Sequence, residues 1–137
     1  MKKTETRALV FKILMLMYIL TVMYLCFADF KDLPDVPKTL WGIPMDKIVH
    51  FCMFFPFPIL GFYAYDTLPG TPLKAFAAII VLFSFGGIFA GLTETVQGMM
   101  PYRTEDIADF KADLLALALS SVIVFAVDFS RMKLHRK

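Results

Sequence analysis

Seven residues of this sequence have the types and spacings to do chemistry together. Asp46 and His50 stand four apart and share one helix face; Glu94 and Gln97 stand three apart; Arg103 follows in a short loop; Asp109 and Asp113 again stand four apart. Carboxylates around an imidazole can hold a divalent cation, pass a proton or act as a general base. A guanidinium can fork onto a phosphate or carboxylate through two hydrogen bonds. One His among carboxylates lacks the spacing of zinc motifs, and no Ser or Cys sits beside a base in the sequence. The sequence therefore names a polar cluster but assigns no catalytic residue, no metal and no cofactor.

The elements that must carry these residues are membrane spans. Of 137 residues, 58% are hydrophobic and only 19% charged, and the mean hydropathy is +0.67. A soluble domain this small needs far more polar surface. Fifteen Phe and nine Met exclude disorder, and a net charge of +2 gives no case for nucleic acid as a partner. Four stretches lack Asp, Glu, Lys and Arg altogether: Ile13–Ala28, Ile48–Tyr65, Ala75–Thr93 and Leu114–Val127. At about 1.5 Å per residue they measure roughly 21–28 Å, against a bilayer core about 30 Å thick. With flanking residues the expected spans are 8–28, 48–65, 75–97 and 109–129. The expected fold is all-α, a four-helix transmembrane bundle in a single domain. A barrel would need many more short alternating strands.

Lys and Arg set the orientation. The N-terminal segment, the middle loop and the tail hold Lys2, Lys3, Arg7, Lys12, Lys74, Arg131, Lys133, Arg136 and Lys137. The two longer loops hold only Lys31, Lys38, Lys47, Arg103 and Lys111. Both termini are expected in the cytoplasm, with the polar cluster facing outward. The opening MKKTETR resembles the start of a signal peptide. The apolar run after it is long and closes on no small-x-small site, so the segment reads as an uncleaved anchor.

Several details bear on packing. Gly87 and Gly91 form a G-x-x-x-G pair with Glu94 on the same face, so that face should pack tightly and lead the carboxylate into the bundle. Pro56 and Pro58 should kink or break the second span. Pro34, Pro37 and Pro44 suggest a stiff, extended first loop. Trp41 and Tyr102 suit the head-group belt. Cys26 and Cys52 read as buried thiols rather than a disulfide. Asp109 and Asp113 repel each other, and an ion pair, with Arg103 or else Lys47, is the cheapest remedy. Asp128 and Arg131 read as a solvated local pair.

These pieces resemble the VanZ-like family of small bacterial membrane proteins. Asp46-Lys47-Ile48-Val49-His50-Phe51 is similar to its D-K-x-x-H-F, Glu94-Thr95-Val96-Gln97 to its E-x-x-Q, and Pro101-Tyr102-Arg103 with Asp109 to its P-x-R and following D. The resemblance covers about residues 46–125. Asp113 stands where the family usually has Asn, and Ala116 and Ser120 stand where it often has Gly. The family is named for a member that gives low-level resistance to the glycopeptide teicoplanin. The resemblance implies a multi-pass protein of the cytoplasmic membrane and extends, as an expectation, to glycopeptide resistance.

Three functions compete on these residues. In the first, the outward cluster binds an envelope lipid, a cell-wall precursor or a glycopeptide antibiotic, without catalysis. In the second, the cluster serves a membrane-embedded enzyme, metal-dependent or not, acting on a lipid-linked substrate. In the third, its carboxylates line a small proton or ion pathway. Membrane lipids are the expected partners in all three, and the oligomeric state is left open.

Overall fold

A computed structural model describes residues 3–29, 37–65, 71–103 and 105–134. Its helices are α1 (Lys3–Phe27), α2 (Met45–Phe54), α3 (Pro56–Tyr65), α4 (Pro72–Gly98) and α5 (Ile107–Leu134); two short strands, β1 (Thr39–Leu40) and β2 (Ile43–Pro44), precede α2. Among the described residues four helical segments are long and apolar enough to cross a membrane: Glu5–Phe27, Met45–Tyr65, Pro72–Gly98 and Ile107–Lys133. They overlie the four expected spans and extend each by a few residues. Large apolar side chains face outward along them, among them Leu16, Met17, Phe85, Ile88 and Val122. That outward face suits lipid, not water.

The second span is broken where its prolines require it. Pro56 and Pro58 offer no N–H to the preceding turn, so α2 ends at Phe54 and α3 restarts on Pro56, a position where a helix tolerates proline. The carbonyl of Met53, in the last turn of α2, accepts a hydrogen bond from the Tyr18 hydroxyl of α1. A neighbouring helix thus satisfies backbone beside the break, as an apolar surrounding demands.

The first loop departs from the extended connector its prolines suggest. Residues 30–36, including Lys31 and Pro34, lie outside the described residues, as do Lys2, Arg136 and Lys137. The described part is an antiparallel hairpin, with Thr39 opposite Pro44 and Leu40 opposite Ile43. Trp41 and Gly42 form its two-residue turn, both with positive φ (53° and 78°), the twist that a tight hairpin favours. Trp41 projects from the tip, 90% exposed.

α5 packs on α2, α3 and α4, while α1 lies chiefly along α3. The core joins Val22 and Cys26 of α1, Phe54 and Phe57 around the break, Ala90 of α4, and Ala116 and Leu117 of α5. The tightest approach is not at Gly87 and Gly91. Those two only touch Leu114 and Phe110 of α5, at 3.5 and 3.7 Å from where a Cβ would stand. At Gly86 a Cβ would lie 2.6 Å from Leu117 Cδ2 and 3.1 Å from Phe57 Cδ1. Gly86, Ala90, Thr93 and Gln97 make the buried stripe of α4, with Glu94 at its edge. Gly86 and Gly87 are adjacent, and spacing alone does not say which one meets a neighbour.

Two further expectations change. Cys26 is fully buried, but Cys52 is exposed on the outer face of α2, and both are free thiols. Asp128 is buried at 1% exposure and is not a solvated residue. Its helical neighbour Arg131 hydrogen-bonds the Tyr63 hydroxyl at 3.2 Å and stacks on that ring, which Arg7 of α1 also covers. This Arg7–Tyr63–Arg131 group joins the start of α1 to the ends of α3 and α5. The chemistry-bearing residues gather at the opposite end of the bundle.

Candidate functional site

That opposite end is built from the start of α2, the end of α4 and the start of α5. His50 lies one turn into α2, on the face opposed to α5. Its Nδ1 is 3.1 Å from Asp113 Oδ1 and 3.6 Å from Glu94 Oε1, and its Nε2 is 3.8 Å from Asp109 Oδ2. All four residues are less than a tenth exposed: His50 4%, Glu94 4%, Asp109 8% and Asp113 0%. Asp109 and Asp113 are one turn apart, so α5 presents both carboxylates to the same imidazole.

Glu94 ties α4 to α5 as well. Its Oε2 accepts the Asp106 N–H at 3.3 Å, and Asp106 Oδ1 in turn accepts the Ala108 N–H at 2.8 Å, the N-terminal cap of α5. Glu94 Oε1 is buried and makes no hydrogen bond among the described residues.

Lys47 closes the rim. Its Nζ lies 2.6 Å from Asp109 Oδ1, 2.7 Å from Asp106 Oδ2 and 3.0 Å from Asp46 Oδ2. The ammonium beside Asp106, which precedes the span, holds that carboxyl below the usual carboxylate range. Asp46 is the outermost member, its side chain 55% exposed. Lys47, rather than Arg103, is thus the cation on Asp109. Lys47 stands one turn before His50 on α2, on the face toward α5.

Arg103 and Gln97 serve another helix end. α1 has no basic residue in its last turn. Its final carbonyls need partners, and the last turn of α4 and the α4–α5 connection supply them: Gln97 Nε2 to Cys26 O at 3.0 Å, Tyr102 OH to Phe27 O at 2.9 Å and Arg103 Nη2 to Leu25 O at 3.3 Å. A guanidinium there also meets the negative end of the helix dipole. Of the seven residues singled out in the sequence, His50, Glu94, Asp109 and Asp113 form one buried centre, Asp46 lies on its rim, and Gln97 and Arg103 cap α1.

Sequence reasoning left two contributors off the cluster, Tyr102, read as a belt residue, and Glu105; Asp106, whose spacing puts it on one face with Asp109 and Asp113, caps α5 and binds Lys47. Glu105, with Glu94, Asp106, Gly91, Ile107 and Phe110, lines a half-open groove of about 180 Å³ between α4 and α5. The acidic run Glu105-Asp106 just before α5 was the available signal.

Fold and site together define a helical multi-pass membrane protein with a buried ionisable centre at one end. No family model matches the chain, and no solved structure matches it. An uncharacterized protein of Schizosaccharomyces pombe is 32% identical over 79 residues, which are 57% of this chain and 45% of that protein. The chain therefore spans less than half the length of this curated relative.

Proposed function

We propose that the chain is a VanZ-like protein of the cytoplasmic membrane that binds an amphiphilic envelope component at the outward end of its bundle. The termini then lie in the cytoplasm, in keeping with Arg7, Lys12, Arg131 and Lys133 at the other end. The groove between α4 and α5 carries this reading. Glu94, Glu105 and Asp106 give it an acidic head, and Gly91, Ile107 and Phe110 give it an apolar floor. Such a lining suits a ligand whose cationic group adjoins a hydrocarbon chain. A cell-envelope lipid fits directly; a cell-wall precursor or a glycopeptide antibiotic would use the same acidic head, and a role in teicoplanin-type resistance would follow from the last.

Mass spectrometry of lipids retained by the detergent-purified protein tests this. Gly91→Leu, which fills the groove, and Glu105→Gln, which weakens its head, should each strip a lipid that the parent protein holds. Unchanged lipid content in both, with unchanged glycopeptide susceptibility of the host, rejects the reading.

A second reading, a membrane-embedded enzyme acting on a lipid-linked substrate, draws on one observation: His50 stands among three buried carboxylates. Release of water-soluble product from labelled envelope lipid in proteoliposomes, lost in His50→Gln, would favour it over simple binding.

A further inference from the structure

We propose that His50, Glu94 and Asp109 form a site for one divalent transition-metal ion, oriented by Asp113. One nitrogen of His50 and one carboxylate oxygen each from Glu94 and Asp109 lie within 4.8 Å of one another, and all three residues are buried. Ligands about 2.0–2.2 Å from a common ion stand roughly 3–3.6 Å apart, so the set closes when Asp109 moves inward and Glu94 Oε1, now beside Nδ1, swings toward Nε2. Three protein ligands with a nitrogen and two oxygens suit Zn²⁺ or Mn²⁺ and leave a position open.

The surroundings have the form that metal-binding histidines require. Asp113 faces Nδ1 at 3.1 Å and is wholly buried. A carboxylate there accepts the Nδ1 proton, fixes the tautomer and leaves the Nε2 lone pair free for a metal. Nε2 is the nitrogen turned toward Asp109 Oδ2. Asp109 divides its two oxygens: Oδ1 takes Lys47 at 2.6 Å and Oδ2 faces the imidazole.

Two independent observations point to a cation. Glu94 Oε1 is a buried acceptor without a hydrogen bond among the described residues, and it lies 3.6 Å from Nδ1 of His50. The charge around the centre is also unbalanced. Three buried carboxylates, Glu94, Asp109 and Asp113, face one imidazole, and the Lys47 ammonium answers only Asp109 among them. A dication answers both the orphaned acceptor and the excess negative charge, which are costly to leave in a low-dielectric setting. The second acidic group, Asp46, Asp106 and Asp109, already surrounds Lys47 and has no such vacancy for a metal.

This site bears on the enzyme reading above, but its test measures the metal and not turnover, so the two fail separately. Full-length protein in detergent, stripped with a chelator, is titrated with Zn²⁺, Mn²⁺ and Co²⁺. One ion per chain should bind saturably, and Co²⁺ should give visible absorption bands of a nitrogen-and-oxygen-ligated ion. Glu94→Gln and His50→Gln should abolish stoichiometric binding. Asp113→Ala should weaken it by about 10–100-fold, the usual effect of losing a partner behind a metal-bound histidine. Asp46→Asn should leave it unchanged. Absence of saturable binding by the parent protein overturns the proposal without recourse to any variant. Binding that survives Glu94→Gln in a helical, monodisperse preparation also overturns it.

Discussion

The Nδ1 of His50 and Oδ1 of Asp113 lie 3.1 Å apart, buried, across 63 residues of sequence. This contact joins α2 to α5 at a depth where neither group has water to fall back on. Asp113→Ala removes the nearest acceptor from Nδ1 of a buried imidazole, leaving Glu94 Oε1 at 3.6 Å, and should cost about 1–3 kcal/mol. Asp113→Asn keeps an amide oxygen in place for Nδ1–H and should cost clearly less. Unfolding in mixed detergent micelles, followed by loss of helical circular dichroism, measures both.

Lys47 is the ammonium that three carboxylates share. Lys47→Met leaves Asp109, 12% exposed in its side chain, without its counter-charge and should destabilise by about 1–3 kcal/mol. The link to Asp106 also gives a pH dependence. A carboxyl held below its ordinary value contributes fully above that value, near pH 4, and its contribution fades as pH falls through the lowered one. The melting temperatures of the parent protein and Asp106→Asn should therefore differ at pH 6 and converge only well below pH 4. A gap that closes between pH 7 and 5 would contradict this assignment.

The end of α1 is held by side chains from the last turn of α4 and the α4–α5 connection. Gln97→Leu removes the side-chain donor to Cys26 O and leaves that buried carbonyl without a partner among the described residues, a loss of about 1–3 kcal/mol. The loosened end should show itself chemically, because Cys26 is fully buried next to the lost bond. In a Cys52→Ser background, Gln97→Leu should raise the rate at which N-ethylmaleimide labels Cys26, and Tyr102→Phe should raise it less.

Gly86 and Gly87 separate two kinds of small residue. Gly86→Ala puts a methyl 2.6 Å from Leu117 Cδ2, and Leu117 is itself enclosed, so overpacking of about 1–3 kcal/mol is expected. Gly87→Ala meets Leu114 at 3.5 Å, an ordinary contact, and should be neutral or slightly stabilising through helix propensity. Thermal unfolding of the two single variants side by side decides the point.

The spans were legible because long runs without charge have one meaning at this length, and the break at Phe55 was legible because two prolines remove two donors. The companionship of His50 with Glu94 and of Asp109 with Asp113 could also be read, since each residue sits on a helix face that must avoid lipid. The division of labour inside the cluster could not. Arg103 has the better geometry for a carboxylate, but bare carbonyls at the end of α1 lie within its reach, and Lys47 is already on α2 facing α5. Which of two adjacent glycines meets a neighbour depends on helix rotation about its axis, and that is set by Leu117 and Phe57, far away in the chain. The groove at Glu105 depends on how the α4–α5 connection folds back, which no short-range pattern encodes.

The caps on α1 have a consequence for biogenesis. α1 leaves the ribosome ahead of the other helices, yet Gln97, Tyr102 and Arg103, which complete its end, are synthesised some seventy residues later. Until then the nascent helix carries raw carbonyls, and His50 awaits α5. The insertion machinery must therefore shelter a half-made bundle, and a chain truncated before α5 would present itself to membrane proteases as unfinished.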